Sequence, residues 1–407
     1  CTRTVPGGAA VAGQPWERKQ DARGIEHAAL SLLDGLLQEF PDIGCVGLTG
    51  QMHGIVYVDA AGQLLSPLYT WQDETGAQPG PDGKSTAARL TERTGYPLAS
   101  GYGLVTLACH QAAGCIPDGT AAVCTIADYL AMRLSGRTAP CLTPSMAASL
   151  GLFDGTGFDR EAVRRAGLPE RLLPEVSEEA ELGGGRLRVF AALGDNQASF
   201  LGAGQGRLDA PLVNIGTGSQ FSFFTREHRT VPGLETRPFP GGWLLTGAPL
   251  CGGRSFALLE RFFRQTAELV TGTPCPSAYP AMLRALEAPM PDDVPQFRTT
   301  FAGTRQDPAE RAVLSGLNEE NFAPVPLLHA LLRGMADELS ACYRAALKAG
   351  CAPAGRLLGS GNGLRRNPAL QRAVERSFGL PLTLAAVPEE AACGAALFTR
   401  MQHEAAL

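Results

Sequence analysis

Asp195 ends an apolar run, LRVFAALGD, and precedes a stretch of helical character, Gln197 to Leu201. A carboxylate between a strand and a helix can take the proton of a hydroxyl while that oxygen attacks the terminal phosphoryl of a nucleotide. The same position suits a helix N-cap, which contributes about 1 kcal/mol. Spacing alone leaves both roles open.

Three glycine-rich turns lie in the same half of the chain: Gly216-Thr217-Gly218-Ser219, Gly252-Gly253 and Gly359-Ser360-Gly361-Asn362-Gly363. Each follows an apolar strand pattern. Glycine lets backbone amides approach an anion closely, and free N–H groups there can bind phosphate. Any one of them also fits an ordinary strand-to-helix turn. Three together, beside a candidate base, point to a nucleotide site. Neither G-x-x-x-x-G-K-[ST] nor a G-x-G-x-x-G opening a βαβ unit is present, which disfavours a P-loop and a dinucleotide cofactor.

The first half carries polar groups suited to a polyol. Gly50-Gln51-Met52-His53-Gly54 joins two strand patterns and exposes Gln51 and His53 as hydrogen-bonding groups. Trp71, Gln72 and Asp73 form an exposed-looking cluster. An aromatic face can pack on a sugar's C–H face while a carboxylate accepts its hydroxyls. A plain hairpin turn and a half-buried Trp remain the alternatives.

These residues need a layered scaffold, and the pattern supplies one. Short apolar strands alternate with helical stretches, the signature of an α/β chain. Helices are expected over 26–40, 85–93, 104–113, 125–135 (ended by Gly136), 159–166 and 326–349. Strands are expected at 43–49, 55–58, 151–154, 212–225 around a glycine turn, and 243–246. A second unit is expected from residue 187, giving domains 1–186 and 187–407. The stretch 273–300 reads as loop.

The 407 residues are 44% hydrophobic and 18% charged, with net charge −5. That balance is globular and disfavours nucleic acid or an anionic membrane as partner. No apolar run reaches the roughly 20 residues of a membrane helix. The 11 cysteines are scattered without a C-x-x-C pair, which reads as reduced, cytoplasmic thiols. Cys109, His110 and Cys115 lack the second ligand pair of a zinc site.

In order along the chain, these motifs resemble the FGGY carbohydrate kinases, nearest to sedoheptulose and xylulose kinases. GQMHG resembles their sugar-binding motif and WQD their W-x-D segment. DYLAMRLSG (128–136) and SMAASLGLFD (145–154) resemble the D-Y-L and N-A-S stretches. LGDNQAS (193–199) resembles the G-D-x-Q element that holds the base, and NIGTGSQ the second phosphate motif. FAGTRQDP (301–308), LLGSGNGLRRNPALQ (357–371) and EEAACGAAL (389–397) resemble the G-x-R-x-P element, the adenosine motif and the closing helix.

The resemblance implies two actin-like (ribonuclease H-like) α/β domains with a cleft between them, a sugar on the first and ATP with Mg²⁺ on the second. It implies that Asp195 is the base, that Gln51, Met52, His53, Trp71, Asp73 and Asn196 bind sugar, and that Gly216, Thr217, Gly218, Gly252, Gly253, Gly359, Ser360, Gly361 and Asn362 hold the nucleotide. Homodimers are common in the family. Two departures stand out. The family's opening D-x-G-T-[TS] hairpin is missing and WERKQD (16–21) stands where a Q-D segment is usual, so the first domain is expected to be N-terminally truncated, through an incomplete gene or in a catalytically impaired sugar-binding or regulatory relative. Thr143-Pro144 also replaces an S/T-D pair, at the expected loss of a polar contact.

Overall fold

The computed structural model describes residues 8–183, 185, 187–249, 252–303 and 309–405. The chain forms two compact units. The first runs to Gln205 and takes back the chain from Glu389; the second is Gly206–Pro388. The division therefore falls later than the expected boundary after residue 186. Long-range strand pairing is the reason. Arg188–Phe190 pairs in parallel with Cys45–Val46, and Leu193–Gly194 pairs in parallel with Thr49–Gly50. No local pattern announces such partners.

In the first unit the expected strand 43–49 is broken into Cys45–Val46 and Thr49–Gly50. Gly47 lies at the break, where a Cβ would run into Thr399 of the last helix. Val56–Asp59 pairs antiparallel with Thr120–Cys124, and Ile55, Val56, Tyr57, Val58 and Val123 are wholly buried at the heart of one core. Helices start where side chains cap them. Asp21 accepts the Arg23 amide, Ser85 the Ala88 amide, Thr125 the Asp128 amide and Asp159 the Ala162 amide. Gly136 ends the helix Ile126–Ser135 at φ 74°, as expected. GLFD is not a strand. Gly151 and Leu152 have φ of 100° and 53°, which an extended chain does not allow, and the helix Pro144–Leu150 precedes them.

The helices Asp195–Ala203 and Glu390–Ala405 pack closely in this unit. They do so at glycines: a Cβ at Gly202 would meet the Glu390 carbonyl, and one at Gly394 the Ala198 carbonyl. Gly202→Ala is therefore expected to cost about 1–3 kcal/mol through overpacking, read as a lower urea midpoint with an unchanged slope.

The second unit is built on a six-stranded sheet. Its order is Glu235–Phe239, Gly242–Gly247, Ser219–Thr225, Leu212–Ile215, Leu357–Ser360, Leu382–Leu384. The first four strands are antiparallel to their neighbours, and the last two join in parallel. The helix Pro324–Lys348 and the helix Pro368–Phe378 pack on each other, and the core they share with the sheet includes Val213, Phe221, Leu331, Leu339 and Val374. The strand Glu235–Phe239 and the helix Tyr279–Ala285 went unread in the sequence. Each carries a proline, at Pro238 and Pro280, which weakens a propensity signal. Among the described residues no helix is long and apolar enough to cross a membrane.

Candidate active site

Two turns from distant parts of the chain meet in the first unit. Leu193 pairs with Thr49 and Gly194 with Gly50. The chain leaves both strands at their carboxyl ends, where ligands of parallel sheets characteristically bind. Asp195 thus follows one strand and Gln51-Met52-His53 the other. The join is close: a Cβ at Gly194 would lie 2.6 Å from Gln197 Oε1 and 2.8 Å from the Met52 sulfur, both ends of flexible side chains. Gly194, not Asp195, is the helix N-cap. Asp195 is the first helical residue, exposed, with its Oδ1 accepting the Asn196 amide at 2.7 Å. Asn196 itself is buried.

The GQMHG residues divide their work. Gln51 Nε2 donates to Gln20 Oε1 at 3.0 Å. Its own Oε1 is buried without a partner among the described residues, as is Thr49 Oγ1. Such an orphan acceptor costs about 1–3 kcal/mol. Met52 is buried and packs on Gly194, so it shapes the turn rather than presenting a surface. His53 sits at φ 74°. Its amide donates to Ser149 Oγ at 3.1 Å, and its Nδ1 lies 2.7 Å from the Ser149 carbonyl. A carbonyl only accepts, so Nδ1 carries the hydrogen. The ring stacks on Tyr102 at 4.7 Å. Ser149 and Tyr102 were missed in the sequence; the one signal was the small-residue run SMAAS.

The exposed Trp-Asp cluster needs correction. Trp71 is 54% exposed, but Asp73 is 2% exposed. The Asp73 carboxylate accepts the Arg18 amide on Oδ2 and the Thr75 amide on Oδ1, each at 3.0 Å. These two bonds tie WERKQD to the Trp71 turn. Thr143, of the Thr143-Pro144 pair, and Ser145 both bond the chain before Asp195. Thr143 donates to the Ala192 carbonyl at 2.7 Å, and Ser145 Oγ accepts the Gly194 amide at 3.3 Å. The Thr143-Pro144 pair still holds the strand that carries Asp195.

The three glycine turns meet in the second unit. The Gly216 amide donates to the Gly218 carbonyl at 2.9 Å. Gly253 donates to the Gly216 carbonyl at 2.9 Å and Arg254 to the Thr217 carbonyl at 3.0 Å. A Cβ at Gly252 would lie 2.6 Å from the Gly218 carbonyl carbon, and one at Gly361 2.5 Å from the Ile215 oxygen. Thr217 and Gly218 are exposed at the tip. The helix Gly253–Thr271 begins here, and its first two amides are the ones that bind the Gly216 and Thr217 carbonyls, so they join the turns while the positive end of the helix faces them. Arg254, exposed in its first turn, is a cation that motif reading missed. Gly359 and Ser360 are corrected: they are buried residues of the strand Leu357–Ser360, paired with Val213 and Asn214, and the loop proper starts at Gly361 beside exposed Asn362. Of FAGTRQDP, residues 304–308 lie outside the described residues.

Comparison with known proteins places a boundary near residue 205 as well, though its second match continues into the chain that the first unit takes back from Glu389. The model of the FGGY family of carbohydrate kinases, N-terminal domain, matches residues 10–205, and that of the C-terminal domain matches 212–403. A sedoheptulokinase of Mus musculus is 28% identical over 95% of this chain and 87% of its own. A xylulose kinase of Streptomyces coelicolor is 26% identical over 87% of this chain and 73% of its own. The crystal structure of a xylulose kinase from Rhodospirillum rubrum superposes with a TM-score of 0.81 at 22% identity, covering 97% of this chain and 84% of that one.

Proposed function

The chain belongs to the FGGY family of carbohydrate kinases, and from that premise we propose that it phosphorylates a terminal hydroxyl of a ketose, with Asp195 as the general base and sedoheptulose preferred over D-xylulose. The observation that carries the reading is the pairing of Gly194 with Gly50, which sets the candidate base beside the polyol-binding turn. Asp195 takes the proton of the sugar hydroxyl. The hydroxyl oxygen bonds to the γ-phosphorus of ATP, the bond to the β-phosphate oxygen breaks, and ADP leaves. Gln51 Oε1 and His53 orient hydroxyls, and the exposed Trp71 indole packs on the sugar's C–H face. Met52 and Asp73 shape these turns from within.

The second unit supplies the nucleotide half of the chemistry. A phosphate tail would lie on the Gly216–Gly218, Gly252-Gly253 and Gly361 turns, which pack so closely that a Cβ at Gly252 or Gly361 would strike the Gly218 or Ile215 backbone. The Thr217 hydroxyl at the exposed tip donates to it, and the positive end of the Gly253 helix favours its charge. Mg²⁺, held through phosphate oxygens and water, would neutralise phosphate charge; among the described residues no three His, Cys, Asp or Glu side chains gather to ligate it.

Coupled ADP-release assays on sedoheptulose, D-xylulose, glycerol and L-ribulose test the reading. The highest kcat/KM is expected for sedoheptulose, and a preference for glycerol overturns the ketose assignment. Trp71→Ala is expected to raise the sugar KM about tenfold, with kcat within about threefold, since a lost aromatic contact is worth about 0.5–1.5 kcal/mol. Its thermal midpoint should stay unchanged because the indole is exposed. An unaltered sugar KM removes Trp71 from the sugar site.

A further inference from the structure

In the second unit the helices Pro324–Lys348 and Pro368–Phe378 and the chain at 287–290 line a cavity of about 230 Å³. It is smaller than the roughly 300–1,000 Å³ of a pocket for a drug-sized ligand. None of the residues assigned above to sugar or nucleotide lines it. His329 does, and is only 6% exposed. Its Nε2 is buried without a hydrogen-bond partner among the described residues. Buried polar groups are nearly always paired, so such an atom calls for a partner.

Arg372 and Arg376 line the same cavity, one helical turn apart on one face of Pro368–Phe378. Arg372 Nη2 donates to the Leu286 carbonyl at 3.1 Å, and Arg376 Nη1 reaches only the Met290 sulfur, at 3.8 Å. Neither guanidinium meets a carboxylate among the described residues. Glu287 is the one carboxylate of the lining, so two guanidiniums against it leave the cavity cationic. Leu332 and Met290 add apolar surface.

We propose that this cavity binds the phosphate group of a small phosphorylated molecule, with Arg372, Arg376 and His329 donating to its oxygens and Leu332 and Met290 against its carbon stem. The site stands whether or not the chain is a ketose kinase. A guanidinium presents a planar fork of donors, and a neutral imidazole can carry its hydrogen on Nε2. Donors from three side chains suit the three free oxygens of a phosphate ester better than the two of a carboxylate. Arg376, held only by a thioether, a weak acceptor, is free to turn and admit the anion. Burial, and then the Arg372 and Arg376 charges, hold the His329 pKa below the ordinary histidine value. A bound anion offsets those charges, so occupancy should raise it.

The test titrates the full chain with inorganic phosphate, glycerol 3-phosphate and acetate at constant ionic strength, and follows the imidazole resonances of its 6 histidines by NMR. His329→Gln assigns the His329 signal. Phosphate should shift that signal saturably and raise its pKa. Glycerol 3-phosphate should bind at least about threefold tighter, the worth of one buried methylene, and acetate at least about tenfold more weakly. Arg372→Ala and Arg376→Ala should each weaken phosphate at least about tenfold. Arg376 is exposed and makes no bond to the backbone, so its variant decides the matter even where Arg372→Ala does not fold. Phosphate can also lie on the glycine turns, so Gly252→Ala should leave the His329 shift unchanged. A His329 signal that phosphate does not move, a shift that survives in both arginine variants, or one lost in Gly252→Ala overturns the site. Acetate binding as tightly as phosphate overturns the phosphate class, and equal affinity for the two phosphates overturns the carbon stem.

Discussion

Asp195→Ala is expected to lower kcat at least about 10²-fold, the smallest loss typical of removing a general base. The sugar and ATP KM values should move far less, because the carboxylate acts on a proton that moves only in the transition state. Loss of fold does not explain the prediction. Asp195 is exposed and is not the N-cap of its helix, a place taken by Gly194. Removing one carboxylate from a helix N-terminus costs about 0.3–1 kcal/mol, and the helix is held by its packing on Glu390–Ala405. Asp195→Asn sharpens the test: it keeps the acceptor oxygen for the Asn196 amide but has little affinity for a proton, so its kcat should fall like that of the Ala variant. The measurement is coupled ADP release at saturating sugar and ATP, with circular dichroism on the same samples. Either variant turning over at the wild-type rate would remove the base assignment.

Much of this site was legible because its parts are local. An Asp after an apolar strand, a Gln-Met-His turn between glycines and three glycine turns are contiguous strings whose chemistry depends on residue type. The sequence could not reveal which strings meet. Leu193–Gly194 beside Thr49–Gly50 is a parallel pairing across 144 positions (193 − 49), and parallel pairing leaves no short-range signature. The same limit explains the boundary after 186: residues 188–194 read as the start of a unit but complete the sheet of the first. Burial was the second blind spot. Asp73 and Met52 read as exposed from their types, yet both are buried, the one bonded to two backbone amides and the other packed at the Gly194 turn. Gly359 and Ser360 look like loop by composition, and sheet pairing with Val213 and Asn214 overrides that propensity.

The glycine cradle yields the second large effect. Gly252→Ala is expected to raise the ATP KM at least about tenfold, the equivalent of 1.4 kcal/mol of nucleotide binding, with the sugar KM unaffected. Gly252 has φ 148° and ψ −156°, a region open essentially to glycine alone. Its added methyl would lie 2.6 Å from the Gly218 carbonyl carbon and 2.7 Å from the oxygen. These are backbone atoms with no rotamer to yield, so the Gly216–Gly218 turn and the start of the Gly253 helix must separate. That separation breaks the bonds from Gly253 to Gly216 and from Arg254 to Thr217, which hold the two turns together. Strain and overpacking also lower stability, by about 1–3 kcal/mol each, so a control must carry strain without touching the cradle. Gly272→Ala serves. Gly272 ends the same helix at φ 67° with open space around its Cβ position. It should lose stability and keep the ATP KM. Calorimetric titration with a non-hydrolysable ATP analogue separates the two variants. Equal affinity in Gly252→Ala and the wild type would mean that the three turns are joined for folding alone, and the phosphate-binding role would have to be sought elsewhere in the second unit.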